Sequence, residues 1–185
     1  MLWDRQERDG FVAIPRLMPL IMSVMDDLSG KGFPVGRTYF EMWSRLMDEL
    51  FLTLNRPEEM AFHAGFDGQR ALRTWKDRVN RLADLGFIGL KPGPLGDLSY
   101  AIFFNPYHVI KRAYLKGLVQ EKKWQSLVIR ANEISAFDLD DIDDNGELII
   151  EDEEEEEPKP KASKITLETL ARTKAGSGSR RRKRA

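Results

Sequence analysis

Gln69, Arg70, Arg73, Thr74, Lys76 and Arg81 stand within one short stretch of this chain. A guanidinium donates two hydrogen bonds to guanine O6 and N7, and a Gln carboxamide pairs with adenine N6 and N7. Lys and Arg neutralise phosphates. On this chemistry Gln69, Arg70 and Arg73 are expected to read base edges with Thr74 beside them, and Lys76 and Arg81 to hold phosphates. The bland alternative is a solvated helix whose Arg73–Asp77 and Asp77–Arg81 pairs, spaced i,i+4, add about 0.2–0.5 kcal/mol each. Other chemistries are scarce. The chain has no Cys, which excludes disulfides, thiolate zinc sites and a cysteine nucleophile. His63 and His108 fall in different helical segments, with no carboxylate cluster at ligand spacing. Neither a GxxxxGK[ST] phosphate loop nor a GxSxG elbow occurs. No enzymatic activity and no cofactor are expected. Asp141, Asp143, Asn145, Gly146 and Asp152 match the spacing of a calcium loop, with Asp in place of the bidentate Glu at the twelfth position. In so acidic a segment the pattern arises easily by chance, and no metal site is assigned.

The cationic row needs a helix to present it. Leu72, Trp75, Val79 and Leu82 recur at i, i+3, i+7 and i+10, one face of a 3.6-residue period. Arg70, Arg73, Asp77, Arg81 and Asp84 project opposite that stripe, with Lys76 and Arg78 at its flanks. Asp67 or Gly68 is expected at the N-cap and Gly86 just past the C-terminus. Ile88–Leu90 and Leu98–Phe104 read as two strands joined by Lys91-Pro92-Gly93-Pro94-Leu95-Gly96-Asp97, a stiff bent loop whose Lys91 is a candidate phosphate contact. Asn105-Pro106 opens a further helix, a cap followed by proline at the first helical position, with Lys111 and Arg112 as phosphate candidates near its end. Residues 65–123 hold 11 Lys/Arg against 5 Asp/Glu, a local +6 in a chain of net −1, the electrostatic footprint of a phosphate-binding module. Upstream, helices are expected over 15–28, 37–54 and 56–65, with Phe66-Asp67-Gly68 as the turn of a helix-turn-helix. Residues 119–136 are expected to extend the last helix, their apolar stripe either packing on the domain or pairing with a second copy. No apolar run reaches the roughly 18 residues of a membrane span, and a cytoplasmic protein without membrane contact is expected.

A helix-turn-helix followed at once by a hairpin reads as recognition helix and wing: a mainly α winged helix-turn-helix domain over 11–136, with extra N-terminal helices. PVGRTYFEMWSRLMDE, GFDGQRALRTWKDRVNRLADLGFI and PGPLGDLSYAIFFNPYHVIKR resemble a winged-helix group carried by bacterial plasmids and integrative conjugative elements. The resemblance spans roughly residues 11–118. It implies a small regulator or replication-associated protein that binds double-stranded DNA, with the helix from Gln69 to Arg81 facing the DNA. A homodimer on two half-sites is expected. A replication or partition accessory binding origin repeats is the nearest alternative, and a winged helix used only for protein contact is the other. The remaining residues, 137–185, read as a disordered charged tail. Residues 138–157 hold 13 acidic residues and no Lys/Arg, while 158–185 hold 10 Lys/Arg and one acid. Arg180, Arg181 and Arg182 at its end are expected to grip nucleic acid without sequence preference, and the tail to offer a surface for a protein partner.

Overall fold

The computed structural model describes residues 9–46 and 50–149. The basic end of the tail with Arg180, Arg181 and Arg182, and Asp152 of the calcium-like pattern, lie outside the described residues. Six helices and three strands follow in the order α1 (Met18–Ser29), α2 (Gly36–Trp43), β1 (Phe51–Thr53), α3 (Pro57–His63), α4 (Ala71–Asp84), β2 (Ile88–Gly93), β3 (Gly96–Phe103), α5 (Pro106–Leu115) and α6 (Glu121–Glu133). The strands form one antiparallel sheet in the order β1-β3-β2. The chain is thus mainly α with a small β-hairpin, as its sequence predicts. No helix among the described residues is long and apolar enough to cross a membrane.

One core joins the helices to one face of the sheet. Ile21, Val24 and Met25 of α1, Tyr39 and Met42 of α2, and Trp75, Val79 and Leu82 of α4 are buried together with Ile88, Ala101 and Phe103 of the hairpin. The Tyr39 ring lies 6.1 Å from Phe87 and 5.4 Å from Phe103, centroid to centroid. Full burial of such rings stabilises the fold by about 1.5–3 kcal/mol each. Helix punctuation follows local chemistry. Asn105 caps α5 by accepting from the Tyr107 N–H at 3.0 Å, and Pro106 occupies its first position. Gly86, at φ +82°, ends α4, with the Phe87 N–H donating to Leu82 O at 3.0 Å, the left-handed close that glycine adopts without strain.

Three features differ from the sequence reading. The second helix stops at Trp43 instead of running to Leu54, and Phe51–Thr53 form β1, registered Phe51↔Ile102, Leu52↔Ala101 and Thr53↔Tyr100. A three-residue apolar strand carries too little periodicity to separate it from helix; its pairing to β3 decides the matter. In consequence Phe51 is exposed while Leu52 is buried. The hairpin is longer than expected, since β2 runs on to Gly93 and β3 starts at Gly96, leaving a tight turn at Pro94-Leu95. Finally, Gly117, at φ +71°, breaks the last helix into α5 and α6. Leu127 and Ala131 of α6 are buried, Trp124 stacks on Tyr114 at 4.2 Å, and Lys123 reaches Asp27 of α1 at 2.6 Å. Of the two roles open to this stripe, packing on the domain is the one observed.

Candidate nucleic-acid interface

Helix α4 is built to hold one face still and leave the other to solvent. Trp75, Val79 and Leu82 are wholly buried. Arg70 occupies the N-cap position, where no side chain caps the helix, and Gly68 at φ +76° turns the chain into it; the expected capping by Asp67 or Gly68 does not occur. At the preceding turn Gly65 has φ +83°, and a Cβ there would stand 2.3 Å from Arg37 Cζ. The guanidinium of Arg37 lies against that main chain, and it is the positive φ that demands glycine, since the tip of the Arg37 side chain can shift. Gln69, Arg70, Arg73 and Lys76 are exposed and Thr74 is half-buried. Among the described residues, none of Arg70, Arg73, Lys76, Asp77 or Arg81 forms an ion pair. The i,i+4 pairs of the bland reading are absent from this geometry.

A cleft of about 740 Å³ separates α4 from the hairpin turn. Arg73, Lys76 and Asn80 form one wall, Leu95, Gly96 and Asp97 the other, and Leu54, Asn55 and Pro57 close the end. Two cations, two carboxylates (Asp77 and Asp97), two carboxamides and open main chain thus face a concave surface. No family model, curated protein or solved structure matches the chain. The geometry therefore carries the functional reading alone.

The remaining expected site residues are placed elsewhere. Arg81 donates to Leu28 O at 3.0 Å, tying α4 to the end of α1. Its neighbour Arg78 is buried, with its guanidinium 3.4 Å above the Phe33 ring. Burial lowers its pKa below the ordinary arginine value. Lys91 stands on the sheet face opposite the core, across from Tyr100, and does not line the cleft. Lys111 donates to Leu139 O at 2.8 Å and also to Ile142 O, and Arg112 donates to Gly146 O at 2.8 Å. His108 contacts Asp141 at 3.0 Å, and Asn105 donates to Asp138 at 2.7 Å. One face of α5 thus clasps residues 138–146, with Leu139 and Ile142 buried beneath. Lys111 and Arg112 were assigned to phosphate; the structure engages both with the protein's own main chain. The signal for this role was the run of acids and buried apolar residues downstream, read from sequence only as tail.

That clasped segment contains the calcium-like pattern. Asp143 accepts from the Asn145 and Glu147 N–H groups at 2.9 and 2.8 Å, which holds its carboxyl below the ordinary range. Among the described residues no group of three His, Cys, Asp or Glu is placed to hold a metal.

Sequence reasoning also missed a charged knot between α2 and α3. Glu41 is buried; one carboxylate oxygen pairs with Arg45, and the other has no partner among the described residues. Burial raises its pKa above the ordinary value in spite of Arg45 and His63. Arg45 also reaches Glu59 at 3.1 Å and His63 Nδ1 at 2.9 Å.

Proposed function

We propose that the chain binds double-stranded DNA with sequence preference through the exposed face of α4, as a winged-helix regulator of a mobile genetic element. The observation that carries this reading is the row Arg70, Arg73 and Lys76, exposed and without ion-pair partners among the described residues, with Arg73 and Lys76 lining the cleft opposite the hairpin turn. The element order supports it. Helix α2, strand β1, helices α3 and α4, then β2 and β3 give helix, strand, two helices and a hairpin, and β1 completes the sheet as a winged helix requires. Arg73, Arg70 and Gln69 address bases in a major groove, where a recognition helix fits. Lys76, on the cleft wall, meets the backbone. Lys111, Arg112 and Arg81 are left out, since each is bound to its own chain.

The protein acts as a binder rather than an enzyme, in the cytoplasm, and as a homodimer on paired half-sites. Leu127 and Ala131 of α6 pack on the domain, while Ile129 of the same helix is exposed. Selection of bound duplexes from a random library tests the proposal: enrichment of one motif supports it, and no enrichment contradicts it. Footprinting separates a promoter operator of one or two half-sites from a ladder of origin repeats, the pattern of a replication or partition accessory.

A further inference from the structure

Asp77 is the acid of α4 that lines the cleft, and it is exposed. Arg73 and Arg81 flank it four residues before and four after, the spacing at which a helix pairs opposite charges. Among the described residues Asp77 nonetheless forms no ion pair. Arg81 is turned away to Leu28 O, and Arg73 stands on the cleft wall. Helical geometry sets Asp77 about 40° round and about 6 Å along the axis from Arg73, on the same outward face. That advance matches about two base-pair steps. Asp84, the other exposed acid of α4, ends the helix and does not line the cleft. An unpaired carboxylate thus sits within the surface that the duplex reading turns towards a polyanion.

We propose that Asp77 reads a cytosine by accepting from its N4 amino group, about two base pairs from the base that Arg73 reads. The inference rests on the duplex reading of α4 and deepens it. A carboxylate laid against DNA is repelled on every sequence, and only a donor on a base edge offsets that cost. Both carboxylate oxygens are acceptors. In the major groove guanine presents the acceptors N7 and O6, and thymine the acceptor O4 beside a methyl group. Adenine sets the acceptor N7 next to its N6 donor, whereas cytosine offers the N4 donor alone. Cytosine is therefore the base that meets Asp77 without turning an acceptor against it. Asp77 acts chiefly by exclusion, lowering affinity for other sequences and widening the gap between cognate and random duplex. A structural role competes with this one. Asp77 is the neighbour of buried Arg78, whose pKa desolvation lowers while the Asp77 and Asp26 charges oppose the shift.

The test takes the full chain with Asp77→Asn, Asp77→Ala and Arg73→Ala through selection from a random duplex library. Fluorescence anisotropy on selected and random duplexes follows, in about 0.15 M salt, and circular dichroism confirms that each variant is folded. The parent motif should hold a cytosine about two base pairs from the position that Arg73→Ala makes degenerate. Asp77→Asn, whose carboxamide pairs with adenine N6 and N7, should select adenine there and leave the other positions unchanged. Asp77→Ala should leave that position degenerate and narrow the cognate-to-random affinity ratio by about tenfold. It should also bind random duplex about threefold tighter, the opposite sign to Arg73→Ala. Weaker random binding by Asp77→Ala overturns the proposal. So does a urea midpoint that falls in both Asp77 variants while the motif stays whole, which assigns Asp77 to Arg78. A motif that loses a position in Arg73→Ala but is kept by both Asp77 variants overturns this inference alone. No motif from the parent overturns the α4 reading and this inference with it.

Discussion

Replacing Arg73 by alanine removes a guanidinium from the wall of the cleft without touching the core, since its side chain is exposed. The expected cost is about 1–3 kcal/mol in duplex affinity, with relaxed preference at one base pair. Lys76→Ala should instead weaken all duplexes evenly and reduce the slope of log affinity against log salt by about one. Titration of cognate and random duplexes across salt separates the two behaviours, and a pair of variants with identical profiles contradicts the assignment. Glu41 gives a prediction about stability. Its folded pKa lies above the ordinary 4.5 because burial disfavours the charged form, so the folded state holds that proton more tightly than the unfolded chain does. The stability it confers is full below about 4.5 and is lost as pH rises through the raised folded value. Glu59 behaves oppositely: the Arg45 hydrogen bond lowers its pKa, so its contribution exists above the ordinary value and disappears on acidification. Urea unfolding at stepped pH should show a fall in stability from 4.5 upward that Glu41→Gln abolishes, with the acid-side loss retained; an unchanged profile removes Glu41 from the account. The exposed cations were legible from helical phase alone. The fates of Arg78 and Arg81 were not, because their partners, Phe33 and Leu28 O, lie 45 and 53 positions away, and no local pattern encodes that meeting.

At the scale of elements, α5 and the segment it clasps behave as a unit. Lys111 satisfies two main-chain oxygens and Arg112 a third, and main-chain groups left without partners cost about 1–3 kcal/mol each when buried. Lys111→Ala is therefore expected to speed amide hydrogen exchange over residues 139–146 while leaving duplex affinity within twofold. A large loss of duplex affinity would return Lys111 to the DNA face. Which elements the sequence disclosed follows the strength of their periodicity. Helix α4, with its buried Trp75, Val79 and Leu82, and the hairpin flagged by Pro and Gly were legible to within a few residues. Strand β1 was not, since Phe51-Leu52-Thr53 continues the apolar texture of α2 and only pairing with β3 defines it. The α5–α6 break was signalled by Gly117, whose φ of +71° a helix interior does not accept; the reading of one continuous helix passed over that glycine.

For the whole molecule, the distribution of charge matters more than its sum. A chain of net −1 concentrates +6 in residues 65–123 and places 13 acids in 138–157. The described part of that acidic run is held to α5, whose Lys111 and Arg112 donate to its main-chain oxygens, while Arg70, Arg73 and Lys76 stay exposed without ion pairs among the described residues. Association with DNA is accordingly expected to depend steeply on salt, through the phosphates neutralised beside α4. The central claim is that α4 reads duplex sequence through Arg73 beside the hairpin turn. Its most direct test is selection from a random duplex library with the parent chain and Arg73→Ala in parallel, at fixed salt. The account predicts one enriched motif for the parent and the same motif with a single position degenerate for the variant. Identical motifs from both chains, or none from the parent, would contradict it.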